Sequence, residues 1–126
     1  MLQYRTDLAM EAHKLLCAQS RAQTLSGVDS RTVFRRGCSV TSVRIDTEGA
    51  ARQLGKPRGR YVTLDLSPLQ KNADDVLERA SRAVGAELRA LFGENVKSVL
   101  VAGLGNASMT PDAIGPRSAE HVLVTR

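Results

Sequence analysis

Asp112 has the most specific setting of any acid in this sequence. It ends the run Gly103-Leu104-Gly105-Asn106-Ala107-Ser108-Met109-Thr110-Pro111-Asp112. Two glycines let the backbone bend sharply and pass close to another group. Asn106 can brace the loop or a substrate through its amide. Thr110 offers a helix cap and Pro111 a first-turn proline, and Pro116 suits the first turn of the helix that follows. A carboxylate in such a loop suits amide hydrolysis by paired acids. One acid, ionised, activates water; the other, protonated, donates a hydrogen bond or a proton. Two neighbouring carboxyls separate their titrations, which supplies the two states. Asp112 can be one member of such a pair, with a helix N-terminus favouring its charged form. On spacing alone the residue reads first as a helix-capping acid. Gly103, Gly105 and Asn106 read equally well as a structural turn.

The loop needs elements to hold it. Val96 to Ala102 is short, apolar and valine-rich, which predicts a buried strand that delivers Asp112 to its C-terminal end. Ligands bind at that end of open α/β sheets. Upstream, Leu77, Ala80, Val84, Leu88 and Leu91 recur at helical spacing and predict a helix over 72–92 with those residues on its buried face. Asp74 and Asp75 suit its first turn and Gly93 its stop. Arg60 to Leu66 alternates as a half-buried strand stopped by Ser67-Pro68. Thr32 to Ile45 predicts two strands or one bent strand, with Gly37 as turn or bulge. Together these suggest a small antiparallel unit. Leu25 to Ser30 reads as a loop. Ala50 to Leu54 can form a helical turn. Gly55-Lys56-Pro57-Arg58-Gly59 reads as a solvated basic turn, with anion binding as the alternative. Asp7 can cap a helix from Leu8 to about Gln19, buried through Leu8, Ala12, Leu15 and Leu16.

Composition narrows the function. The 126 residues fit one domain, and the net charge of +5 is spread without a long basic run. There is no Trp, and there are only two Tyr and two Phe, so the stacking residues of single-strand binders are scarce. Direct nucleic-acid binding is not expected. A basic surface can still attract an acidic protein. Cys17 and Cys38 are too few for a disulfide scaffold and lack zinc spacing, and are expected to pack as small apolar residues. No signal segment or membrane-length apolar run is visible, so a cytoplasmic protein is expected. Gly103-Leu104-Gly105-Asn106-Ala107-Ser108 imitates the start of a dinucleotide fingerprint. However, Ser108 stands at the third glycine position and Thr110-Pro111 interrupts the helix. His13 and His121 are expected to be structural or exposed. Ala119 to Val124 is apolar with no stop signal after it, which predicts that the chain is a fragment, a trimmed piece or a natural truncation.

The sequence resembles the spore germination protease family, endopeptidases that degrade small acid-soluble spore proteins. The resemblance is carried by Tyr4-Arg5-Thr6-Asp7-Leu8-Ala9, Gly55-Lys56, Gly59-Arg60-Tyr61-Val62-Thr63-Leu64, Gly103-Leu104-Gly105-Asn106, Thr110-Pro111-Asp112-Ala113, Gly115-Pro116 and Leu123-Val124-Thr125-Arg126. It spans nearly all of this chain but only the N-terminal part of the family's protein. It implies a precursor whose propeptide, residues 1–7, is removed at the Asp7–Leu8 bond. Residues 8–126 are then the N-terminal part of one peptidase domain. It also implies that Asp112 is one of two catalytic aspartates, the second lying beyond Arg126, so this chain alone should be inactive. Gly103, Gly105 and Asn106 support the active-site loop. Cutting after acidic residues, a homotetramer of the full-length protein and a place in the spore core follow from the same resemblance, with no cofactor.

Hydrogenase-maturation peptidases share a comparable layout of strand, glycine turn and acid. They use a metal, but Thr-Pro before the acid is not their pattern, and neither His13 nor His121 forms a recognisable metal pair with Asp112. No metal is therefore assigned. The expected fold is α/β, a three-layer, mostly parallel sheet of that type, incomplete here, with the small antiparallel β unit ahead of it. The competing reading is a non-enzymatic α/β module whose glycine turn binds a nucleotide or a peptide.

Overall fold

The computed structural model describes residue 6 and residues 8–20, 24–71 and 75–124, without the side chains of 70 and 71. It divides into two units, Met1–Phe92 and Gly93–Arg126.

The first unit is built on one hairpin. Strand β1 (Val28–Arg35) pairs antiparallel with β2 (Cys38–Ile45), and β2 pairs antiparallel with β3 (Gly59–Asp65). Arg36 and Gly37 form the two-residue turn with φ of 53° and 78°. Positive φ at both positions matches the right-handed twist of the strands. β1 begins earlier than the sequence predicts, taking in Val28 to Arg31. These residues have no apolar run, but they find a ladder against Ser42, Val43, Arg44 and Ile45.

Helices cover both faces of the sheet. On one face Val43 and Ile45 pack with Ala9 and Ala12 of α1 (Ala9–Ser20) and with Ala50, Ala51 and Leu54 of α2 (Glu48–Leu54). Thr47 caps α2 by accepting from the Ala50 N–H at 3.2 Å, and Gly55 closes it in a left-handed conformation. On the other face Cys38 and Val40 pack with Ala83 of α3 (Val76–Phe92). Leu69, on a 3₁₀ turn over Ser67–Lys71, is 1% exposed. With cover on both sides, Tyr61 to Leu64 are all partly buried and not alternately exposed. Cys38 is fully buried, as a small apolar residue would be.

Three expectations need correction. On α1 the buried residues are Ala9 and Ala12, while Leu8 and Leu15 are exposed; alanines let the helix lie close to the sheet. α3 is rotated from its expected orientation. Ala83 and Glu87 are buried, while Leu77, Val84, Leu88 and Leu91 are exposed. The small Ala83 admits close approach, and Arg35 fixes the rotation, its Nη2 standing 2.5 Å from both Glu87 carboxylate oxygens. The residues from Val96 to Ala102 form no strand, because they have no ladder partner among the described residues; Val96, Val99, Leu100 and Val101 are exposed.

The chain is thus α/β, and its described residues form a three-stranded antiparallel sheet and four α-helices. Among the described residues no helix is long and apolar enough to cross a membrane.

Candidate active site

The second unit holds the loop that the sequence singles out. A 3₁₀ turn over Thr110–Asp112 leads into α4 (Ile114–Glu120). Thr110 is not the cap expected of it: Met109 holds the cap position without a side-chain bond, and Thr110 is inside the turn. Pro111 sits in the first positions of that turn and Pro116 in the first turn of α4, where a missing N–H costs nothing.

Asp112 reaches back to the glycine turn. Its Oδ2 accepts a hydrogen bond from the Asn106 N–H at 2.7 Å. The amide oxygen of Asn106 accepts from the Ser108 N–H at 3.0 Å and from the Ser108 hydroxyl at 2.7 Å. The Met109 N–H donates to the Asn106 carbonyl at 3.1 Å, and the Asp112 N–H to the Met109 carbonyl at 2.9 Å. Asn106 therefore braces the loop by both backbone and side chain, as one of its two expected roles requires.

The glycines make this closure possible. Gly105 has φ of 134°, and a Cβ there would lie 2.0 Å from the Asp112 carbonyl oxygen and 3.2 Å from Asp112 Oδ1. A Cβ on Gly103 would meet the Gly115 carbonyl oxygen at 2.2 Å, and one on Gly115 would meet the Leu104 carbonyl oxygen at 2.1 Å. Side chains at these positions would force the loop off the Asp112 segment. Sequence reasoning assigned no role to Ser108 or Gly115. Asn-x-Ser, which favours a side-chain-to-backbone turn, and the glycine just before Pro116 were the available signals.

The geometry leaves a carboxylate in an exposed, braced loop. One oxygen is held by a backbone N–H, and the other is next to a glycine where a main chain can approach. Such a group can orient and deprotonate a water if a second acid meets it. The other predicted positions lie elsewhere in the sequence. Leu8 is exposed, with its N–H 3.3 Å from the Thr6 hydroxyl, just ahead of α1. Asp7, its partner in the expected scissile bond and the expected cap, lies outside the described residues. His13 contacts Cys17 Sγ at 3.6 Å along α1, and exposed His121 places Nδ1 2.7 Å from the Arg117 carbonyl. Among the described residues no three His, Cys, Asp or Glu side chains group as a metal site.

The profile of one family, germination protease, matches residues 6–126. The chain is 40% identical to the germination protease of Bacillus cytotoxicus over 130 residues, covering 97% of this chain and 34% of that protein. It is 39% identical to that of Bacillus cereus, with the same coverage. It is 37% identical to that of Halalkalibacterium halodurans over 132 residues, covering 97% of this chain and 35% of that protein. The chain thus spans about one third of the length of these curated relatives. No solved structure matches it.

Proposed function

The chain belongs to the germination protease family, and on that premise we propose that the protein it represents is an aspartate-dependent endopeptidase precursor acting in spore germination. Asp112 is the catalytic acid contributed by this part of the protein, and Gly103, Gly105 and Asn106 shape the loop around it. The observation that carries the reading is the Asp112 carboxylate held 2.7 Å from the Asn106 N–H within a turn that tolerates no side chain at Gly105. The second acid comes from the remaining two thirds of the protein. The substrates are small acid-soluble spore proteins, cut after acidic residues in the spore core, and the full-length enzyme is a homotetramer. Residues 1–7 are the propeptide, released at Asp7–Leu8, and 8–126 begin the peptidase domain. For the fold, the exposed valine-rich run 96–102 leading into the loop supports a larger parallel core of the hydrogenase-maturation-peptidase type, of which this chain holds only a part.

The test is intact mass of the full-length parent protein and of a small acid-soluble spore protein incubated with it, wild type beside Asp112→Asn. Wild type should lose Met1 to Asp7 and yield fragments ending in acidic residues. Asp112→Asn should slow substrate cleavage by about 10²–10⁴-fold or more. Cleavage at the wild-type rate by Asp112→Asn would remove Asp112 from the mechanism.

A further inference from the structure

The sheet of the first unit has an open hollow of about 390 Å³ at one end. It lies on the face that Ala83 covers over the Cys38 and Val40 rows. Beyond that cover, the face continues through the row Arg31–Ser42 and the row Asp29–Arg44–Arg60. Four of the eight lining residues are arginine, and one, Asp29, is acidic.

These charges are unevenly satisfied. Arg35 is taken by Glu87. Arg44 is shared between Asp46 at 3.2 Å and Asp29 at 3.9 Å. Among the described residues Arg60 donates only to the neutral Ser42 hydroxyl, at 3.4 Å. Arg31 has no ion-pair partner among the described residues. Arg44 and Arg60 stand directly opposite each other across β2 and β3. Like charges at opposite positions destabilise a sheet. Arg31 adds a third guanidinium one row away, across a residue as small as Ser42. An anion seated among the three would relieve their repulsion. Between the arginines the lining is the small Ser42, with Val33 and Val40 at the end nearer α3.

The lining also selects the kind of anion. No aromatic residue lines the hollow to stack a base. A guanidinium fork matches a carboxylate in two parallel hydrogen bonds. Arginines on one sheet face are separated by about 4.8 Å between strands and about 6.6–6.8 Å along them. Arg44 and Arg60 have the former spacing, and Arg31 stands diagonally from Arg44 on the strand beyond, so neighbouring carboxylates of one segment can each meet a fork.

We propose that this hollow is a docking site for a carboxylate-rich segment of a protein substrate, gripped by Arg31, Arg44 and Arg60. The identity of that protein as a substrate rests on the peptidase reading; the binding itself does not. Fluorescence anisotropy with a labelled hexaglutamate peptide tests it on the chain and three variants. Arg31→Gln/Arg60→Gln should weaken binding by about tenfold or more. Arg52→Gln/Arg89→Gln removes the same charge outside the hollow and should change affinity less than about twofold. Asp112→Asn should bind like wild type, so failure of the catalytic assignment leaves this result standing. Equal losses in the two double variants would reduce the effect to net charge and overturn the proposal. So would absence of binding by wild type, or tighter binding of an oligothymidylate of the same charge.

Discussion

Gly105 is the residue at which the smallest change should do the most to the loop. Gly105→Ala puts a methyl group 2.0 Å from the Asp112 carbonyl oxygen at a φ of 134°, and should destabilise the closed loop by about 1–3 kcal/mol. Amide exchange reads this at one proton: the Asn106 N–H, held by Asp112 in the native chain, should exchange faster. Glu87 tests a different principle. Its side chain is 5% exposed while that of Arg35 is 43% exposed, so the two halves of the pair are unequal. Arg35→Met strands a buried carboxylate and should cost about 3 kcal/mol, whereas Glu87→Ala lets the arginine return to water and should cost about 1 kcal/mol. Urea midpoints of the two variants measure the difference. Asp65 gives the pH dependence at this scale. The Ser67 hydroxyl and N–H hold its carboxyl below its ordinary value. A lowered folded pKa contributes stability above the unfolded value, and that contribution disappears as pH falls through the folded value. Asp65→Asn should therefore lower the melting temperature slightly at neutral pH and leave it unchanged below the folded value, which flattens the acid limb of the profile. Among single residues, Asp112 was legible because glycines and prolines mark a turn by their own backbone limits. Gly115 was not, because its role is set by the Leu104 carbonyl, eleven positions earlier in the chain.

Helix α3 shows what periodicity reveals about an element and what it leaves open. Spacing identified a helix and a leucine stripe, and the helix is there. The stripe, however, does not face the sheet. Periodicity ranks the faces of a helix by apolarity but says nothing about which surface is nearest. Here the sheet meets the narrow face, where Ala83 is 2% exposed and Glu87 finds Arg35. Ala83→Leu should cost about 1–3 kcal/mol through overpacking. Leu88→Ala, at a position 45% exposed, should cost less than about 0.5 kcal/mol. Paired thermal melts decide between this rotation and the one the leucine pattern suggests. The hairpin was more legible than the helix orientation: the sequence left two strands or one bent strand about Gly37, and the ladder and the Arg36-Gly37 turn show two strands. Its first four residues were missed because they gain their conformation from hydrogen bonds to β2 and not from their own composition.

At the scale of the whole molecule, the two units differ in how much of their structure they carry themselves. The first has a sheet with helices on both faces, and its class and antiparallel pairing could be read from the sequence. The second has Ala113 as its one buried apolar residue among those described, while Leu100, Leu104, Ile114 and Leu123 are largely exposed. Its valine-rich run reads as a strand by composition, but a strand exists only through a neighbour, and sequence pattern cannot supply one. The braced loop, in contrast, depends on contacts within about fifteen residues and forms regardless. The two cysteines extend this contrast into time. Cys17 is half-buried on α1, and Cys38 is sealed at the end of the hairpin beneath α3. A thiol-alkylating reagent should mark the first within its ordinary reaction time and the second only when α3 lifts from the sheet. The lag between the two mass increments is a clock for opening of the first unit, recorded by the native sequence without any added probe.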